Sequence, residues 1–181
     1  MNFLYLARKR QSVRDYQDKP VEREKIERCL EAGRIAPSAV NSQPWRFIVV
    51  DDPDLKNKVA RKTFSKIISF NRFSLQAPVL IAIVSESPGI INKIGKAIKK
   101  NQLNQIDIGI AVENICLQAV EEDLGTCILG WFDEKGVKEL LNIPESKKVE
   151  LIVTLGYPTT DEIRPKKRKE IDKIRSYNKY K

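Results

Sequence analysis

Arg10-Gln11-Ser12-Val13-Arg14 and, further along, Ala36-Pro37-Ser38-Ala39-Val40-Asn41-Ser42-Gln43-Pro44-Trp45 are the two stretches on which the reading of this sequence turns. The first sets two fixed cations beside a hydroxyl and an amide; the second sets hydroxyl and amide side chains on a loop bounded by prolines. A guanidinium is a planar fork of donors that suits phosphate, whereas Asn and Gln each carry a donor and an acceptor and can read the edge of a heteroaromatic ring. Pro37 and Pro44 fix φ at two points and disfavour helix at Ala36 and Gln43, and a loop with a preset shape loses less entropy on binding. Together the stretches describe a site for a flat, polar, phosphorylated ligand. Taken singly, each has a plainer reading: a solvated turn between helices for the first, an ordinary helix-to-strand loop for the second.

Working outward, Asn2 to Lys9 reads as a short helix leading into the first stretch. Pro20-Val21-Glu22-Arg23-Glu24 opens a second helix with acids in its first turn. Ile26, Cys29, Leu30, Gly33 and Ile35 or Ala36 give it an apolar face at helical spacing, and it delivers the Pro37–Trp45 loop. Phe47-Ile48-Val49-Val50 is a continuous apolar strand, Asp52-Pro53-Asp54 starts a helix through about Thr63, and Val79 to Val84 is a second buried strand. Ile106 to Glu122 is the longest apolar helix, with Ile108, Ala111, Val112, Ile115, Cys116, Ala119 and Val120 covering much of its circumference. A strand at Thr126–Leu129, a helix about Glu134–Leu141 capped by Asp133, and a strand at Val149–Leu155 follow. Ser85 to Gln105 is punctuated by Pro88 and Gly89, with a weakly amphipathic, Lys-rich piece at Asn92–Lys100. From Gly156 onward the tail is polar and aperiodic, and by itself reads as a solvated extension.

Bulk properties narrow the function classes. The chain has 181 residues, 41% hydrophobic and 31% charged, which fits one domain, residues 1–181, with a sizeable core. No run approaches the ~18 apolar residues that a membrane span needs, and charge follows a very short apolar start, the reverse of a signal peptide; a cytoplasmic protein with no membrane partner is expected. Cys29, Cys116 and Cys127 form no CxxC, and there is no histidine, so a metal site is not expected and a reducing compartment is. His-based triads and general bases are excluded with the histidine, so catalysis must borrow a cofactor. Cys116 and Cys127 lie in apolar segments and read as small core residues. The net charge of +9 raises nucleic acid as a partner. The basic residues, however, spread along helices and gather only at Lys166–Lys169, without aromatics, so non-specific polyanion attraction is expected rather than a specific nucleic-acid site.

The two opening stretches resemble those of the nitroreductase family of flavin enzymes, in which an Arg-x-Ser-x-Arg/Lys segment and a Pro-Ser-x-x-Asn-x-Gln-Pro-Trp loop contact FMN. Leu124-Gly125-Thr126-Cys127-Ile128-Leu129-Gly130 looks like the family's LGT/S-C-x-x-G segment, and Gly156-Tyr157-Pro158 followed by Arg164-Pro165-Lys166-Lys167-Arg168 looks like its closing motif. The motifs stand in the family's order over nearly the whole chain. The resemblance implies an α+β fold: a nitroreductase-like three-layer sandwich, its central sheet mostly antiparallel, flanked by helices, with a C-terminal arm (about 157–181) exchanged between subunits.

It also implies a homodimer with FMN at the subunit interface. Arg10, Gln11, Ser12 and Arg14 would come from one chain, and Pro37, Ser38, Asn41 and Gln43 from the other. Backbone at Leu129 and Gly130 would lie near the isoalloxazine; the phosphate contact would come from among Arg164, Lys166, Lys167 and Arg168, with Lys166 and Arg168 preferred as alternating residues of an extended segment. Gln11 departs from the family, where Arg or His is common. The implied activity is transfer of electrons from NADH or NADPH through the flavin to nitroaromatic, quinone or similar flat acceptors, by a ping-pong cycle that needs no protein acid, base or nucleophile. The Glu-x-x-x-Tyr-x-x-x-Lys lid signature of the dehalogenating branch is not visible here. Two other readings stand beside this one: an enzyme of the same fold that consumes its flavin, and a non-enzymatic flavin- or polyanion-binding module.

Overall fold

The computed structural model describes residues 2–86 and 97–180, with the side chains of residues 97–102 excepted. The first five residues of the expected Asn92–Lys100 piece lie outside these. Among the described residues, five α-helices and four strands follow in the order α1 (Phe3–Lys9), α2 (Arg23–Arg34), β1 (Trp45–Val50), α3 (Pro53–Arg61), β2 (Val79–Ser85), α4 (Ala97–Glu121), β3 (Gly125–Leu129), α5 (Glu134–Leu141) and β4 (Lys148–Gly156). The sheet is antiparallel throughout, in the order β1-β2-β4-β3. β2 therefore lies inside, which is what its unbroken apolar run Val79–Val84 demands: it has no solvent face on which to place a polar residue.

Alternation along β2 divides the core in two. Val79, Ile81 and Ile83 join Ile26, Cys29, Ile108, Val112 and Ile115 of α2 and α4 on one face. Leu80, Ala82 and Val84 join Val59, Ala60 and Val137 of α3 and α5 on the other. Two helical layers thus enclose one sheet, the three-layer α+β arrangement that the motifs imply. Leu80, Ile81 and Ile83 are fully buried, and each contributes about 1.5–3 kcal/mol of hydrophobic stabilisation.

Helix starts follow local chemistry. The Asp52 and Asp133 side chains accept from Leu55 N at 2.8 Å and Gly136 N at 3.0 Å, capping α3 and α5. α2 begins at Arg23, with Glu22 rather than Pro20 at its cap position. Its face buries Ile26, Cys29, Gly33 and Ala36, while Ile35 is exposed. α4 begins at Ala97 rather than Ile106. It turns Ile108, Ala111, Val112, Ile115, Cys116 and Ala119 to the core and leaves Leu103, Ile106 and Ile110 on its outer face. That helix is therefore not apolar by burial on every side. Among the described residues no helix is long and apolar enough to cross a membrane.

α2 packs closely on α4 because residue 33 has no side chain. A β-carbon there would meet Ile115 Cγ1 at 2.8 Å and Phe47 Cζ at 3.1 Å, and Ile115 is fully buried. Gly33→Ala is expected to destabilise the protein by about 1–3 kcal/mol, seen as a lower urea midpoint with an unchanged slope. A midpoint equal to wild type would show that the helices separate freely.

Candidate functional site

The Arg10–Arg14 segment runs beside the start of β3. Ser12 forms an isolated parallel bridge with Thr126, and Val13 N donates to the Thr126 carbonyl at 2.9 Å. Tyr16, which follows, is buried beneath the sheet. Its hydroxyl donates to the Val13 carbonyl at 3.0 Å and shares a 2.6 Å hydrogen bond with Thr154 Oγ1, while Thr154 Oγ1 accepts from Cys127 N at 3.0 Å. Burial raises the Tyr16 phenol far above an ordinary tyrosine, so it remains neutral and serves as a tether between the segment and the sheet.

The C-terminal segment crosses the same ground. The Gln11 amide donates to the Glu162 carbonyl at 2.8 Å and accepts from the Arg164 backbone and Nε, both at 3.2 Å. Arg164 Nη2 also donates to the Ser12 carbonyl. Lys166 Nζ donates to the Ala7 carbonyl at 2.8 Å and to the Arg10 carbonyl, where it satisfies the free end of α1 and complements its dipole. Arg168 bonds the Lys167 carbonyl at 2.8 Å and is exposed.

Cations therefore converge. Burial pushes the Cys127 thiol up, and Arg14, the Ser12 hydroxyl, Arg10 and Arg164 pull against it. Burial pulls the Lys166 ammonium below the usual lysine range, with Arg10 and Arg168 adding like charge and Glu113 opposing them. The carboxylate paired with this group is Glu113, 3.4 Å from Arg10 Nε. Arg14 lies over the Phe73 ring at 5.9 Å. Gln11, Ser12, Arg14 and Arg164 line a cleft of about 260 Å³ together with residues of the 158–162 segment. Asp15 and Glu162 also line that cleft and balance its two arginines, so the surplus of positive charge lies with Arg10, Lys166 and Arg168 against Glu113, a setting suited to an anion.

At the far end of β3, Leu129 is buried and Gly130 is exposed. A β-carbon at Gly130 would meet nothing within 4 Å, so the ground above it is open. Trp131 and Phe70 flank it as an edge-on pair with ring centroids 6.2 Å apart, and the buried Asn71 amide donates to the Trp131 carbonyl at 3.1 Å. Phe132 turns inward to the core instead.

The Pro37–Trp45 loop is elsewhere in the chain. Val40, Asn41 and Gln43 all have positive φ, of 49°, 53° and 45°, a costly conformation for a β-branched residue such as Val40. The shape is held by Gln43 N donating to Ser38 Oγ at 2.9 Å, Gln43 Nε2 to Asn41 Oδ1 at 3.1 Å, and Ala39 N to the buried Asp107 of α4 at 3.0 Å. No hydrogen bond or ion pair among the described residues joins this loop to Arg10–Arg14. Within one chain, then, Arg10, Gln11, Ser12, Arg14, Lys166 and Arg168 gather around the start of β3, while Pro37, Ser38, Asn41 and Gln43 form a second, rigid half apart from them.

The sequence does not mark Asn71, Phe70 or Asp107 as site residues, and it offers Arg164 only as one member of the closing basic segment. Only Asp107 carried a signal, as an acid between Ile106 and Ile108 in an apolar helix.

Comparison with known proteins identifies the family and the fold. The family model described as Nitroreductase family matches residues 7–157. An Archaeoglobus fulgidus protein named "Putative NADH dehydrogenase/NAD(P)H nitroreductase" is 35% identical over 153 residues, covering 82% of this chain and 81% of its own. An iodotyrosine deiodinase of Thermotoga neapolitana is 30% identical over 181 residues, covering 92% and 93%. The solved structure of an FMN-dependent nitroreductase from Clostridium difficile superposes with a TM-score of 0.80 at 28% identity, over 98% of this chain and 100% of that one. With its helix-enclosed antiparallel sheet, its cationic segment on β3 and a family match over most of its length, the chain belongs to the nitroreductase family.

Proposed function

We propose that this protein is an FMN-dependent NAD(P)H oxidoreductase that works as a homodimer and passes electrons to flat acceptors such as quinones and nitroaromatics. The observation that carries the reading is the gathering of Arg10, Arg14, Arg164, Lys166 and Arg168 around one fixed segment, a short way along β3 from the open ground over Gly130. A phosphate at the cationic end and a planar ring at the Gly130 end match the two halves of FMN, so the residues present suit the cofactor. When bound, FMN supplies the redox chemistry.

The chain's own residues bind, orient and exclude water. Arg10, Lys166 and Arg168 hold the phosphate by charge-assisted hydrogen bonds, and the Ser12 hydroxyl is the neutral donor beside them. Arg14 places positive charge on the ring side, where it stabilises negative charge that develops on reduction. Backbone at Leu129–Gly130 supplies the flat floor. Phe70 and Trp131 form an apolar wall suited to aromatic acceptors. No side chain in this set is needed as an acid, base or nucleophile.

A second copy completes the site. Leu103, Ile106 and Ile110 follow one another at helical spacing along the outer face of α4, half exposed, an apolar stripe of the kind that pairs with its own copy. Pro37, Ser38, Asn41 and Gln43 of that copy then close over the flavin bound by the first. β1 is an unpaired sheet edge, and the arm beyond Arg168 carries exposed Ile171, Ile174, Tyr177 and Tyr180; the arm of one protomer lies along the β1 edge of the other. Reductive deiodination, the activity in the name of the Thermotoga relative, is disfavoured because this chain has no tyrosine between Tyr16 and Tyr157, and so no lid of the dehalogenating kind.

The deciding experiment is the visible spectrum of the purified protein. A yellow flavoprotein is expected, bleached by NADH or NADPH without oxygen and restored by a quinone or nitroaromatic, with no iodide released from iodotyrosine. A colourless protein that takes up no FMN overturns the reading. Arg14→Ala is expected to lower the flavin midpoint potential and to weaken FMN by about tenfold, or ~1.4 kcal/mol; an unchanged potential removes Arg14 from the ring side. Ile106→Asp is expected to yield a monomer by sedimentation, with FMN lost in parallel. A variant that stays dimeric and yellow would show that α4 is not the interface.

A further inference from the structure

The position at which this chain departs from its family is also the one whose side chain makes the most specific contacts with the C-terminal segment. A side-chain amide presents the same donor and acceptor as a peptide group. Gln11 Nε2 donates to the carbonyl of residue 162 and Oε1 accepts from the N–H of residue 164. These are the two bonds by which a neighbouring parallel strand clasps the intervening residue, here Ile163. Arg164 then turns its guanidinium back to Gln11 Oε1 at 3.2 Å and to the Ser12 carbonyl. Two residues on, Lys166 reaches the carbonyls of Ala7 and Arg10. Neither Arg nor protonated His can accept a hydrogen bond, so neither could make the paired contact that Gln11 makes here.

We infer that Gln11 is a positioning residue rather than a phosphate contact: its amide stands in for a β-strand, docks residues 162–164 onto the cofactor segment, and so delivers Lys166 and Arg168 to the phosphate end of the site. Arg164 serves the same latch, its guanidinium fixed to Gln11 and Ser12. The charge that the chain lacks at position 11 is thereby supplied from the C-terminal segment. This rests on the flavin reading above only for the identity of the anion; the docking itself is a property of the flavin-free protein.

Two measurements on the full-length protein test it. The first is hydrogen exchange over residues 160–168 without flavin, where Gln11→Leu is expected to speed exchange about tenfold, the worth of one or two lost hydrogen bonds. Gln11→Glu, which keeps the acceptor and loses the donor, is expected to fall between Gln11→Leu and wild type. The second is affinity for FMN and for riboflavin by fluorescence quenching. Gln11→Leu is expected to weaken FMN about five- to tenfold and leave riboflavin unchanged, because the cations it delivers act on the phosphate. In a Lys166→Gln, Arg168→Gln background the effect of Gln11→Leu on FMN should disappear. Exchange at the wild-type rate, equal weakening of both flavins, or full additivity in that background would each overturn the inference. A wild-type protein that binds neither flavin would instead sink the flavin reading, while the exchange measurement still decides the latch.

Discussion

The fixing of an extended segment, residues 10–16, against the start of β3 is the constraint on which the rest of this structure depends. Two glycines make room for it. A β-carbon at Gly125 would stand 2.5 Å from Val13 Cγ2 and so would displace the segment, and one at Gly156 would stand 2.5 Å from Pro78 Cδ and 3.0 Å from Tyr16 Cδ1, crowding Pro78 first and Tyr16 beside it. The Ser12–Thr126 bridge and the Tyr16–Thr154 hydrogen bond then fix it at both ends. Because Thr154 lies in β4 and is fully buried, the tether reaches the rigid interior of the sheet. Arginine is a flexible side chain carrying about 2 kcal/mol of rotamer entropy; anchoring its backbone this firmly restricts where its charge can go.

That placement is costly by itself. Arg10, Lys166 and Arg168 lie close enough to repel one another, and Glu113 offsets only part of that charge at a 3.4 Å pair with Arg10. Burial first, and then Arg10 and Arg168, hold the Lys166 ammonium below the usual lysine range, while its bonds to the carbonyls of Ala7 and Arg10 keep it in place. Structures keep such uncompensated charge where a ligand neutralises it. On the proposed reading, a dianionic phosphate would relieve the repulsion and gain charge-assisted hydrogen bonds at once. The cationic cluster would then contribute to affinity through what binding removes as well as through what it forms.

The parts legible in the sequence are those governed by local chemistry or by an unbroken apolar pattern. Val79–Val84 reads as an inner strand because nothing in it tolerates water, and Asp133 reads as a cap because an acid precedes the first turn of a helix. The motif residues stand out because their types suit phosphate and a ring edge. What was hidden depends on contacts between residues far apart in the chain. Lys166 reads as one more member of a basic run, yet its position is decided by carbonyls of Ala7 and Arg10. Gln11 reads as a lost charge, and only the fold shows its amide taken up by Glu162 and Arg164. Asn71 follows an aperiodic stretch, and its role emerges only when Trp131 comes alongside. The upstream extension of α4 to Ala97 lacks apolar spacing in the sequence, since Lys99, Lys100 and Asn101 are three polar residues in a row.

The strained loop bears directly on the proposed two-copy site. Val40 at φ 49° is 80% exposed, so neither side-chain packing nor conformational preference favours it; a strained residue of this kind costs about 1–3 kcal/mol. The bonds that impose it run to Ser38 and to Asp107 of α4, whose neighbours Ile106 and Ile110 form the outer apolar stripe. The same helix thus shapes the loop on one side and presents the stripe on the other. If α4 pairs with its copy, burying Val40 and the stripe together offsets the strain, and the loop reaches the partner's cations already in its binding shape. Dimerisation and cofactor binding then draw on one set of contacts, and each strengthens the other without any change of fold.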